Sequence, residues 1–194
     1  RFIAAWDRQA PPAAAWDVLG QGPRESCDEV FTIGFANQYI GGKFETLGGV
    51  PSSGIGWRIF DQWIPGIIET KADSYQPRVH AFNYFPGTGT LIGGAFDTLK
   101  TNFSSTPAAG MVLQDFLGFI HPLATQITGP GNFQTVYDLT PWQGGIVAAG
   151  NFTSIDGVSI QGLGIRDANG NWTELGAIGS GIDRALLNDR DSLL

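Results

Sequence analysis

QYIGGKFETLGGV, residues 38–50, runs from an apolar stretch into a double glycine, a phenylalanine, a polar pair and a second glycine turn. Nearly the same string returns as TLIGGAFDTLKTN from Thr90 and as IVAAGNFTSIDGV from Ile146. Superposing the three sets Gly42-Lys43-Phe44 over Gly94-Ala95-Phe96 and Gly150-Asn151-Phe152, with displacements of 52 and then 56 positions. A period of that size is the signature of propellers and repeat arrays.

The surrounding residues keep the same beat. After each phenylalanine comes a polar pair (Glu45-Thr46, Asp97-Thr98, Thr153-Ser154) and then an apolar residue (Leu47, Leu99, Ile155). Apolar, often glycine-flanked segments end in aspartate at Asp7, Asp61, Asp115 and Asp167, and an aromatic then opens another short segment at Trp16, Trp63, Phe119 and Trp172. Apolar leads, VFTIGFA from Val30, VHAFNYF from Val79 and VYDLTPW from Val136, return the chain to the glycine string. Each unit thus holds four short β-branched and aromatic segments separated by Gly, Pro, Asn and Asp, the pattern of four antiparallel strands joined by hairpins. One such sheet cannot bury both faces, so units must stack, and radial stacking gives a β-propeller.

The expectation is therefore an all-β fold, a β-propeller or propeller fragment of four-stranded antiparallel blades, as a single region over 1–194. It divides into a part-blade at 1–22, blades at about 30–66, 79–123 and 136–176, and a part-blade at 181–194 supplying at most a first strand. Inner strands are expected at 30–36, 79–85 and 136–140, and glycine strands at 38–44, 90–96 and 146–152, with Phe44, Phe96 and Phe152 buried between neighbouring sheets. The small pairs Gly41-Gly42, Gly93-Gly94 and Ala149-Gly150 let backbones approach near a central axis. The scheme, with its GGxF string and W-x-x-L-G ending, resembles kelch-like repeats of the galactose-oxidase type of β-propeller. The resemblance covers almost the whole chain and implies architecture, because its matching positions build blades.

Composition narrows the function classes. A net charge of −7 and the lack of a Lys/Arg cluster argue against nucleic acid or an anionic membrane as partner. Cys27 is the only cysteine, so an internal disulfide and a CxxC metal site are both excluded. No run of about 18 apolar residues is present to span a membrane as a helix, and no charged-then-apolar leader opens the chain. It begins with Arg1, which reads as a processed product or a part of something longer.

Candidate chemistry is sparse. Asp7, Asp61, Asp115 and Asp167 are either a ring of cation-binding carboxylates or, as repetition favours, caps of their own turns. RDANGNW, residues 166–172, offers calcium-type oxygens, but its glycine is misplaced for an EF-hand and Asn169-Gly170 is a hairpin signal. His80 and His121 fall in different units without nucleophile or metal spacing, and no HExxH, GxSxG or phosphate loop occurs. With two histidines and Cys27 in a polar loop, the copper chemistry of galactose oxidase does not carry over. Trp57, Tyr75, Tyr84 and Trp142 fall off the beat; they either form a sugar-stacking platform or fill gaps between blades. Asn102, Asn151 and Asn171 stand in Asn-x-Ser/Thr tripeptides, and Asn102 is the best placed acceptor if the source glycosylates.

The functional expectation is a non-catalytic structural or adhesive module of an extracellular, cell-surface or virion-surface assembly, with no cofactor and no metal. Its partners would be like subunits or the remainder of a longer chain. The rivals are a receptor- or glycan-binding propeller, using loops 71–78, 100–108 and 125–134, and a glycan lyase or hydrolase.

Overall fold

The computed structural model describes residues 2–6, 16–21, 29–34, 39–59, 62–69, 76–101, 105–131, 134–176, 188–189 and 192–193. Among these the fold is all-β, with no helix, and every strand ladder is antiparallel. β1 (Phe2–Trp6) and β2 (Trp16–Gln21) form a hairpin. The first unit follows with β3 (Glu29–Gly34), β4 (Tyr39–Lys43), β5 (Thr46–Leu47), β6 (Val50–Pro51), β7 (Gly54–Ile59) and β8 (Gln62–Glu69). The second holds β9 (Arg78–Phe85), β10 (Gly89–Ala95), β11 (Thr98–Lys100), β12 (Ser105–Pro107), β13 (Met111–Asp115), β14 (Ile120–Pro122) and β15 (Ile127–Thr128). In the third are β16 (Val136–Trp142), β17 (Gly145–Gly150), β18 (Ser154–Ile155), β19 (Val158–Ser159), β20 (Leu163–Arg166) and β21 (Trp172–Glu174). A last hairpin, β22 (Asn188–Asp189) with β23 (Ser192–Leu193), stands where at most one strand was expected.

The four-strand order is the same in each unit: β3-β4-β7-β8, β9-β10-β13-β14 and β16-β17-β20-β21, so the glycine strand is second every time. The glycine strands end before Phe44, Phe96 and Phe152 rather than including them. The reason is a small hairpin that spacing alone concealed. After each phenylalanine the chain leaves the main sheet, folds β5–β6, β11–β12 or β18–β19, and rejoins it where the amides of Gly54, Gly110 and Gly162 bond the carbonyls of Phe44, Phe96 and Phe152. Leu47, Leu99 and Ile155 plug these hairpins into the core and are fully buried.

The small hairpins also clip units together. β11 pairs with the far half of β8, and β18 pairs with β15, so the second and third units each grip the tail of the unit before. The first sheet consequently grows to six strands, β3-β4-β7-β8-β11-β12, rather than four.

Register explains the glycine string. The first strand of every unit carries a bulge that skips Phe31, His80 or Tyr137. The carbonyl just before each bulge, that of Glu29, Arg78 or Thr135, lies where a side chain on Gly42, Gly94 or Gly150 would stand, which bars any residue but glycine. The first small residue of the pair is set by the neighbouring unit instead. A Cβ on Gly41 would fall 2.6 Å from Val79 Cγ1, and one on Gly93 would fall 3.2 Å from Leu139 Cδ1.

Two apolar clusters fill the junctions. Ile55, Ile68, Val79, Phe82, Ile92, Phe96 and Val112 join the first and second units. Leu91, Met111, Leu123, Val136, Leu139, Ile146, Phe152 and Trp172 join the second and third. Phe96 and Phe152 therefore sit between neighbouring sheets, whereas Phe44 packs with Ile40, Leu47 and Trp63 of its own unit. Polar links cross the same seams: Trp57 Nε1 donates to Gln114 Oε1 at 2.8 Å, Asn83 Nδ2 to Asp138 Oδ1 at 3.0 Å, and Trp172 Nε1 to the Leu123 carbonyl at 3.1 Å.

Candidate functional site

Two turns of the same design carry opposite surfaces. Between β13 and β14, Asp115 Oδ1 accepts from the amides of Leu117 and Phe119, each at 2.9 Å; between β20 and β21, Asp167 Oδ1 accepts from those of Asn169 and Asn171 at 2.9 and 2.8 Å. The main-chain bonds also match, with Asp115 bonding Phe119 and Gly118, and Asp167 bonding Asn171 and Gly170. Gly118 and Gly170 both take positive φ, 88° and 92°, so glycine is required at that step. The remaining turn positions are free to vary. In the third unit they are Ala168, Asn169 and Asn171; in the second they are Phe116, Leu117 and Phe119, exposed to 66%, 82% and 56%. Tyr84, itself exposed, brings its ring to 6.3 Å from Phe116. Nothing in the turn geometry calls for three large apolar side chains in water.

This also corrects the alignment of aromatics. Trp63 pairs with Arg58 and Trp172 with Arg166, and in the second unit the corresponding partner of Gln114 is the buried Ile120, not Phe119. Phe119 belongs to the turn and faces solvent.

Below the tip, His121 Nε2 lies 2.9 Å from Asp115 Oδ2. The His121 hydrogen bond, joined by the Phe119 and Leu117 amides, lowers the Asp115 carboxyl below the usual aspartate value. Asp167 is lowered as well, first by the amide of Asn171 and then by its side chain. Both aspartates thus bind their own turns, the alternative that repetition favoured. Asp7 and Asp61 lie outside the described residues. Among the described residues no three His, Cys, Asp or Glu side chains converge on a point where a metal ion could sit.

A second surface lies along β3. Val30, Phe31 and Ile33 are large, apolar and exposed there. The adjoining small hairpin β5–β6 pairs with no other described strand, whereas β11 and β18 each grip a preceding tail. Thr46 Oγ1 in β5 is buried without a hydrogen-bond partner among the described residues; at the same position of the third unit Ser154 Oγ accepts from Thr128 of the preceding tail at 3.1 Å.

The off-beat aromatics are dispersed. Trp57 is half-buried against the first junction and tied to Gln114, which makes it a gap filler, and Trp142 is half-buried at the end of β16. Tyr84 joins the exposed tip, and Tyr75 lies outside the described residues, as do Asn102 and Cys27. Asn151 is half-buried, with its side-chain oxygen accepting from the Thr135 amide, while Asn171 is exposed and donates to Asp167 Oδ2 at 3.2 Å.

A row of rings went unread in the sequence. The bulges aim Phe31, His80 and Tyr137 alike: Phe31 stacks on His80 with centroids 4.8 Å apart and planes 7° from parallel, and His80 meets Tyr137 edge-on at 5.5 Å. The signal was available as the aromatic residue after Val30, Val79 and Val136. No protein family, curated protein or solved structure matches this chain.

Proposed function

We propose that the chain is a non-catalytic structural or adhesive module of an extracellular or particle-surface assembly, its units set around an axis as kelch-like propeller blades are, and that it works through protein contacts. The observation that carries this is the pair of matched turns: one scaffold, with a polar tip in one unit and a Phe-Leu-Gly-Phe tip in another. Exposed apolar tips add nothing to folding and are the common anchors of protein interfaces. The blade-like arrangement is supported by the side-by-side packing of β3, β9 and β16, the first strands of successive units, and by the ring row that their bulges form.

The test transplants the polar turn: Phe116→Ala, Leu117→Asn and Phe119→Asn, with Asp115 and Gly118 kept. Electron microscopy and sedimentation of the native chain are expected to show regular assemblies that the transplanted variant fails to form while its circular dichroism is unchanged. The reading is overturned if the native chain stays solitary at every concentration and binds a glycan through Trp142 or Tyr84, or if it turns over a polysaccharide in a way that one aspartate substitution abolishes.

A further inference from the structure

The Asp115 and Asp167 turns bind their first carboxylate oxygen alike but not their second. In the third unit Asp167 Oδ2 accepts from the Asn171 side-chain amide at 3.2 Å, so the turn closes on itself. The same turn position in the second unit is Phe119, 56% exposed, whose side chain has no donor to give. There the second oxygen is met from the strand that follows, with His121 Nε2 lying 2.9 Å from Asp115 Oδ2. An ionised carboxylate only accepts, so the ring carries its proton on Nε2. His121 pairs with Leu113, and the corresponding pair of the third unit is Thr173 with Ile165. Two positions thus differ together between the turns: asparagine and threonine in one, phenylalanine and histidine in the other.

We propose that His121 is the positioning residue of the apolar tip: its ring supplies, from outside the turn, the second carboxylate bond that Phe119 lacks, and so fixes Phe116, Leu117 and Phe119 in one outward arrangement for their partner. This deepens the contact-module reading and rests on it. The coupling runs through one side chain. Asp115 Oδ1 receives the amides of Leu117 and Phe119, each at 2.9 Å, so the rotation of that carboxyl sets where both residues stand. Without a donor on Oδ2 the carboxyl is free to turn toward water, and the ring removes that freedom. Of the strands packed most closely on β14, β13 has Asp115 as its one ionisable residue and β12 has none. An exposed ion pair adds little to global stability, so the consequence of this one is local order at the tip. The His121 side chain is 55% exposed, which lets it be replaced without opening the core.

The test pairs His121→Val, which removes the donor, with His121→Gln, whose amide keeps one. Each is made in the native chain and in Phe119→Asn, where the turn regains a donor of its own. NMR reads the hydrogen exchange of the amides at positions 117 and 119 and the titration of the Asp115 carboxyl, and circular dichroism checks the fold. In the native background His121→Val is expected to speed exchange at both amides about threefold and to raise the Asp115 midpoint, while His121→Gln restores the protection. In the Phe119→Asn background His121→Val should change neither. The proposal is overturned if His121→Val leaves exchange as it was, or if its effect is equal in both backgrounds, which would make the ring a general support of the strand end. Assemblies seen by electron microscopy should fall away with His121→Val and return with His121→Gln. Assemblies that persist with His121→Val overturn the positioning role and leave the contact reading intact. The exchange readings need no partner, so they decide on His121 even where the turn transplant overturns that reading.

Discussion

At the scale of single residues, the repeated phenylalanine was legible because it keeps one beat with the glycine two positions before it and the apolar residue three positions after it, and Phe96 and Phe152 lie in the junction clusters. Replacing either by alanine empties an aromatic volume inside a junction and is expected to cost about 3–5 kcal/mol in denaturant unfolding. A loss below about 1 kcal/mol would place the ring outside the packed seam. The aspartates were legible as turn caps but not as different surfaces, since Asp115 and Asp167 make the same backbone bonds while their neighbours set the polarity. Both carboxyls are depressed in the folded chain, so the stability they contribute is present above the unfolded value of about 3.9 and is lost as pH falls through the folded value. Carboxyl titration by NMR should accordingly give both midpoints below about 3.9. In an Asn171→Ala variant the Asp167 midpoint should rise, because the side-chain bond that favours its ionised form is removed, while Asp115 should not move.

At the scale of elements, four strands per unit could be read from the sequence because each is a short β-branched or aromatic segment set off by Gly, Pro, Asn or Asp. The small hairpins could not. Two-residue strands such as β5 and β18 have no period to detect; β18 is placed by its pairing with the preceding tail, whereas β5 pairs with β6 alone among the described residues. Leu99 shows what they contribute: it is fully buried in the first junction cluster and pairs with Ile68 of the unit before. Leu99→Ala should cost about 2–5 kcal/mol, and its effect on hydrogen exchange should reach the amides of β8 as well as those of β11. Protection lost from β11 alone would show that the hairpin is a local excursion and not a clip. The bulges were hidden for a related reason: skipping one residue leaves the apolar pattern almost intact while it turns Phe31, His80 and Tyr137 aside.

At the scale of the whole molecule, one strand order recurs three times among the described residues, but the unequal burial of its first strands is a fact of packing. Identical positions are buried in the second and third units and open in the first, and no local pattern separates Val30 from Val79. Each junction cluster draws its members from both sides, so the three units are expected to unfold as one cooperative object. Gly93→Val tests this directly. The new methyl groups would enter the space held by Val136 and Leu139, so they wedge the second junction without touching hydrogen bonds within either sheet. A cost of about 1–3 kcal/mol is expected. If the seam couples the units, the lost protection in hydrogen exchange will appear together on β10 and β16, and the unfolding transition will remain single for fluorescence and circular dichroism alike. If only β10 loosens, or if a second transition separates from the first, the units are independent sheets in contact.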